Sequence, residues 1–441
     1  LEFPDDPHVA IQLAKLYEES GELEAGFDVL RAHLARRPDE PLVCAELGKM
    51  YVDAIEFRKA EPLVLRALQA LPDDPELLRA KAEILIDQRQ MLAATDLFQR
   101  SCALRPDVNA KGRLATCLTS VCRYEEALAL VEDLRTNHRA WSSTLVTVEV
   151  DSLTGLGRHQ DALATLDRAL AGRPFMPGYR LLRGLIHLSL ENFGAGWDDY
   201  TYRNLAITDH LRVLPFAPWS GQSLEGKSIV IAAEQGLGDQ VMFASCLPDI
   251  LAQRPARVVV EAVHRVAKTL ARSFPQCEVI PTGQDRHFEW LKAIGPVDYF
   301  SLIGDLPRRF RRQRKDFPMH QGYLVADAAR KQYWGDVLAK LEGTRKLRIG
   351  VTWRGGTELS RTMLRTLVVT DLTSLIQSKD ATWVCLQYGD VKEDLERARS
   401  SGADMAYWPE SIADLDEFAA LISNLDLVIT VCNTTVHYAG A

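Results

Sequence analysis

Residues 39–72, DEPLVCAELGKMYVDAIEFRKAEPLVLRALQALP, run from just after one proline to the next, and their reading decides the fold of the first half of the chain. In the same register, prolines stand at 4, 38, 72, 106 and 174, so three gaps are 34 residues and the last is twice 34. Each interval holds two antiparallel helices, with the proline closing the second. Small residues recur where the paired helices must touch: Ala14, Gly48 and Ala82, then Ala60, Ala94, Ala127 and Ala162. Large ones (Tyr17, Leu30, Tyr51, Leu85, Phe98, Leu166) fill the groove between helices, and Gly21 and Gly157 mark turns. The stretch 178–203 reads as a sixth, imperfect unit with Gly184, Phe193 and Tyr200 in register. Units four and five drift by a residue near Arg139.

This period resembles the tetratricopeptide (TPR) repeat. Residues 1–205 are therefore expected to form an all-α superhelix of about six repeats. Each unit buries its apolar face only by stacking on its neighbours, which leaves a long concave surface. The functional reading is a groove for a protein or peptide; the bland one is a rigid spacer or a surface for homo-oligomer formation.

The period changes after Leu205. Residues 206–227, with Pro215, Pro218 and Gly221, read as a linker. Strands at 229–233, 256–263, 277–283 and 297–307 alternate with helical patterns, which predicts a parallel, helix-covered sheet across 228–325. A connecting helix at 326–345 leads to a second alternation over 346–441, with strands in 346–356, 381–390, 404–410 and from 426 onward. The expected architecture is a TPR array followed by two Rossmann-like lobes, the second truncated.

In such sheets ligands bind at the carboxyl ends of the strands. Three segments fall there. Glu234-Gln235-Gly236-Leu237-Gly238-Asp239 offers Gly236 and Gly238 for a tight turn, and Asp239 either as a helix cap or as a base for an acceptor hydroxyl. Asn433-Thr434-Thr435-Val436-His437 follows the last strand and could cradle a diphosphate or only cap a helix. Trp353-Arg354-Gly355-Gly356, with Arg361 and Arg365, supplies guanidinium groups suited to phosphate or to solvent. Gln387, closing the next strand, could meet a base or ribose or simply form a turn. The basic run 307–317 reads equally as a solvated face or as one that meets phosphate.

The segments EQGLGD (234–239), WRGG (353–356), LQYGD (386–390) and DLVITVCNTTVHYAGA (426–441) resemble TPR-containing bacterial proteins whose C-terminal part is similar to the heptosyltransferase family. The resemblance covers about 219 to 441. It implies a GT-B fold and inverting, metal-independent transfer of sugar from a nucleotide-diphosphate donor, with no cofactor. It implies Asp239 as catalytic base on the acceptor-side lobe. It implies donor contacts from Gly236, Gly238, Arg354, Arg361, Arg365, Gln387, Asn433, Thr434, Thr435 and His437. Cys432 departs from the family's usual Asp. By architectural analogy the array would present a protein acceptor, flagellin-like in some relatives of this type. The alternative is a TPR scaffold with a degenerate, non-catalytic GT-B-like part.

The totals agree with a globular protein of two or three domains: 441 residues, 47% hydrophobic, 25% charged. A net charge of -8 argues against nucleic acid as partner. Eight cysteines without a CxxC pair, and no apolar run of membrane-spanning length, point to a cytoplasmic protein.

Overall fold

The helices of the first half start where the backbone is cheapest to bend. Pro7, Pro41 and Pro75 each open a helix, where the missing N–H would have no partner anyway. Asp6, Asp74, Asp107 and Ser142 cap helices by accepting from backbone N–H groups in the first turn. The computed structural model describes residues 5–138, 142–206, 212–284, 288–341, 347–356 and 365–441. Its contacts divide the chain into two units, Leu1–Pro174 and Phe175–Ala441.

The first unit is a stack of helix pairs: Pro7–Glu19 with Leu23–Arg36, Pro41–Asp53 with Phe57–Ala70, and Pro75–Asp87 with Met91–Leu104. Val108–Ser120 with Tyr124–Asn137, and Ser143–Gly155 with His159–Gly172, complete the pairs among the described residues. Ala14, Ala60, Ala82, Ala94, Ala127 and Ala162 are all fully buried, as the helix contacts require. A Cβ on Gly48 would sit 2.9 Å from Val64 Cγ2, so that crossing has no room for a larger residue. Phe98, Leu30 and Leu166 fill the spaces between helices, each burial contributing about 1.5–3 kcal/mol. The first helices Pro7–Glu19, Pro41–Asp53 and Pro75–Asp87 lie against one another in turn, as do Val108–Ser120 and Ser143–Gly155, which puts them on the inner face of the stack. The drift expected near Arg139 lies outside the described residues.

The second unit begins with the helices Pro177–Ser189 and Phe193–Tyr200, the pair read from sequence as a sixth repeat. Gly184 and Gly196 allow their close crossing, since a Cβ on Gly184 would meet Tyr200 N at 2.9 Å. A five-stranded parallel sheet follows, comprising β1 (Ala217–Pro218), β2 (Ser228–Ala232), β3 (Arg257–Val263), β4 (Glu278–Thr282) and β5 (Tyr299–Leu302). Their order is β1-β5-β2-β3-β4, so strand order reverses beside β2. The segment read as a linker thus supplies an edge strand: Ala217 pairs with Tyr299. Ala328–Ala339 forms the connecting helix; 342–346 lie outside the described residues.

The second sheet, β6 (Leu347–Val351), β7 (Ala381–Cys385) and β8 (Leu427–Ile429), has order β7-β6-β8 and is also parallel. The strand expected at 404–410 is reduced to one bridge between Val384 and Ala406. The chain then turns into the Pro409–Ala413 helix, which ends the extended segment. The two sheets share one apolar core in which Phe418 and Leu421 of the Leu415–Ile422 helix meet Val266 and Leu270 of the His264–Ser273 helix. Arg272 clasps both carboxylate oxygens of Asp416 across this junction, at 2.5 and 2.6 Å. Among the described residues no helix is long and apolar enough to cross a membrane.

Candidate functional site

A cleft of about 720 Å³ opens between the two sheets, at the carboxyl ends of their strands. The loop after β2 brings Gly236, Gly238 and Asp239 to one wall, and the loop after β8 brings Cys432, Asn433, Thr434, Thr435 and His437 to the other. Gly356, Arg365 and Tyr388 complete the second wall, and Leu386, Ile412, Leu415 and Phe418 give it an apolar floor. Both sheets reverse strand order next to these loops, where neighbouring connections diverge and leave a crevice.

Asp239 sits in the first turn of the Leu237–Ala244 helix, and its Oδ2 accepts from Gly236 N at 3.0 Å. The capping and cleft-facing roles therefore coexist in one half-buried carboxylate whose other oxygen is not used by this bond. Across from it, His437 packs against Gly238, where a Cβ would lie 2.5 Å from His437 Cδ2. Burial lowers the imidazole pKa while the Asp239 charge opposes that shift, so neutral imidazole is favoured.

Other predicted residues are placed differently. Gln387 is fully buried beneath the loop after β6. Its Oε1 accepts from Trp353 N and Arg354 N at 3.0 and 2.8 Å, and its Nε2 donates to the carbonyls of Arg354 and Tyr388. Arg354 turns away from the cleft, donating to Asp390 O at 2.6 Å and pairing with Asp394 at 3.0 Å. Asn433 reaches the wall, but its amide is occupied: Oδ1 accepts from Thr435 N, and Nδ2 donates to Thr352 Oγ1 and to Arg354 O. Thr435 is buried and Thr434 is half-buried. Arg361 lies outside the described residues.

Arg265 was not anticipated. It follows β3 at the start of the His264–Ser273 helix and lines the first wall, exposed. Its position at a strand's carboxyl end is the signal that could have found it. The basic run 307–317 is solvated in part, with Arg309, Arg314 and Lys315 exposed, but several of its arginines also hold other elements. Arg308 and Arg312 grip Asp198 at 2.8 Å, Arg314 pairs with Glu191, and Arg311 is buried on Asp249. The run thus fastens the Pro177–Tyr200 helical segment to the first sheet's layer.

Among the described residues no group of three or more His, Cys, Asp or Glu side chains is arranged to hold a metal ion. All eight cysteines are free.

The tetratricopeptide repeat family matches residues 46–109 and 147–196. Protein FlbA of Caulobacter vibrioides (strain ATCC 19089 / CIP 103742 / CB 15) is 34% identical over 304 residues, taking in 65% of this chain. The chain spans about half, 50%, of the length of that curated relative. Similar solved structures include a tetratricopeptide repeat protein from Parabacteroides merdae ATCC 43184, 12% identical, with TM-score 0.38, covering 44% of this chain and 77% of that one. YrrB, described as a TPR protein with an unusual peptide-binding site, is 19% identical with TM-score 0.36 over 43% of this chain and 93% of its own. Pseudomonas aeruginosa PilF is 18% identical with TM-score 0.37 over 46% of this chain and 93% of its own. Two stretches of the helix-pair array thus match the tetratricopeptide repeat family, and an α/β region of two parallel sheets follows the array.

Proposed function

We propose that the chain is a protein-interaction scaffold whose array holds a polypeptide partner. The observation that carries this reading is the side-by-side stacking of the first helices, which gives one inner surface built from several repeats. Charged side chains bridge that surface from repeat to repeat: Lys15 pairs with Glu46, and Lys49 pairs with both Glu46 and Glu76. A polypeptide laid along it would meet side chains from each repeat in turn. The test is co-purification from the native cell with wild-type chain and with Lys49→Glu. A partner held by wild type and lost by the variant supports the reading; equal recovery by both overturns it.

A second reading, sugar transfer to the bound protein, is supported by one observation: the cleft gathers Asp239, Arg365 and the pair Thr434 and His437 from three separate segments. In it the acceptor hydroxyl oxygen forms a bond to the anomeric carbon of a nucleotide-diphosphate sugar while its proton passes to Asp239. The bond from that carbon to the diphosphate oxygen breaks on the opposite face, inverting the centre. The diphosphate leaves against Thr434 and Arg365, which offset its charge. Thermal-shift titration with UDP-, GDP-, ADP- and TDP-sugars decides between the readings. Stabilisation by one of them, lost in Thr434→Val and in Arg365→Ala, supports the transferase. Asp239→Asn should then abolish turnover and keep binding, because the amide oxygen can still accept from Gly236. A flat response to all four leaves the scaffold alone.

A further inference from the structure

Gln235 stands immediately before the glycine-rich turn with φ of +59°, a left-handed backbone that glutamine adopts only at a cost. Its neighbours show what holds it there. Tyr200 at the end of the Phe193–Tyr200 helix donates its hydroxyl to Gln235 Oε1 at 3.0 Å. Burial pushes the Tyr200 phenol up to about 12, so it keeps its proton and remains a donor at neutral pH. Three residues on, Arg203 is 4% exposed and binds both oxygens of Glu234, with Nε to Oε2 at 3.1 Å. The same guanidinium reaches Asp305 at 2.7 Å, and Glu234 Oε1 accepts from Gly304 N at 3.0 Å. A Cβ on Gly304 would lie 2.5 Å from that oxygen, so the carboxylate has one place to sit. Gly304 after β5 and Gln284 after β4, whose Nε2 donates to Gln235 O at 3.4 Å, hold these residues from within the sheet layer, while Tyr200 and Arg203 hold them from a helical segment that contributes nothing to the cleft wall.

We propose that Tyr200 and Arg203 are positioning residues for the cleft: through Gln235 and Glu234 they set the conformation of the Gly236–Asp239 turn. The inference rests on the reading of that turn as one wall of a ligand cleft, but its test needs no ligand. A strained residue relaxes when the contacts that over-determine it are removed. With the Tyr200 hydroxyl gone, Gln235 returns toward ordinary φ, and the turn that carries Asp239 opens more often. The last helical segment thereby governs the wall opposite Thr434 and His437.

The experiment is amide hydrogen exchange on the full chain, read by mass spectrometry for peptides across 233–240 and for the strands β2, β3 and β5. Tyr200→Phe removes one hydroxyl and keeps the ring, and Gln235→Ala removes its acceptor. Each should speed exchange of the turn about tenfold, with the strands unchanged, and the double variant should match either single one. Arg203→Lys, which keeps the charge but loses the fork, should act on the same peptides. An unchanged turn in Tyr200→Phe overturns the proposal. So does faster exchange spread evenly over the strands, which would make the contact a general prop for the fold. Because nucleotide-sugar titration is a separate measurement, a flat response there sinks the transferase reading without touching this one.

Discussion

One turn recurs in every helix pair, and it shows how individual residues are loaded. The residue between paired helices has positive φ at Gly21 (83°), Ile55 (62°), Arg89 (62°), Cys122 (64°) and Gly157 (73°), and again at Glu191 (59°). Only two of these six are glycine. Ile55 is the most strained, since a β-branched side chain crowds the left-handed conformation, and it is 75% exposed, so it gains little from burial. Ile55→Gly should raise stability by about 0.5–1 kcal/mol, the relief of left-handed strain less the added flexibility of glycine. Urea unfolding would read this; a lowered midpoint would contradict it. From sequence, Gly21 and Gly157 were legible as turns, whereas Ile55, Arg89 and Cys122 were not. Their conformation is imposed by the helices on either side.

Between elements, charge does what apolar periodicity cannot. Glu76 accepts from Lys49 of the preceding pair at 2.9 Å and from Arg105 beyond the next helix at 2.6 Å. Hydrogen bonds from Lys49 first, then Arg105, lower its pKa to about 2. The folded value lies below the unfolded one, near 4.3, so the carboxylate contributes stability above the unfolded value. That contribution is lost as pH falls from about 4.5 toward 2. Glu76→Gln should flatten the fall of thermal midpoint across that window and leave its slope above pH 5 unchanged. An identical acid limb in wild type and variant would refute the linkage. The basic run 307–317 obeys the same logic. Arg312 and then Arg308 hold Asp198 at about 2, against the opposing effect of burial. Local composition identified the run, but its partners lie 62 to 123 positions earlier, at Asp249, Asp198 and Glu191.

At the scale of the whole second unit, Gly238 lies tight against His437 across the cleft. Gly238→Ala forces the imidazole or the turn to shift, at a cost of about 1–3 kcal/mol. The cost should vanish in the background of His437→Ala, which removes the obstructing ring. Thermal midpoints of the two single variants and the double would establish this. Additive losses would place the strain elsewhere.

Sequence alone determined the repeat period, the buried small residues, most of the parallel strands and the loops at their carboxyl ends, because these follow from local periodicity and backbone preference; the edge strand at Ala217–Pro218 and the loss of the strand expected at 404–410 did not follow from it. It also named eight of the seventeen residues that line the cleft, since strand ends in parallel sheets are where ligands can approach. Only the tertiary structure decided which way side chains turn. Gln387 and Arg354 spend their polar groups on the backbone and on Asp394, while Arg265 enters the cleft. Glu234 becomes an anchor for Arg203, a contact spanning 31 residues. The physical reason is that a polar group goes to whichever partner the assembled fold brings within hydrogen-bonding reach, and that partner is seldom a neighbour along the chain.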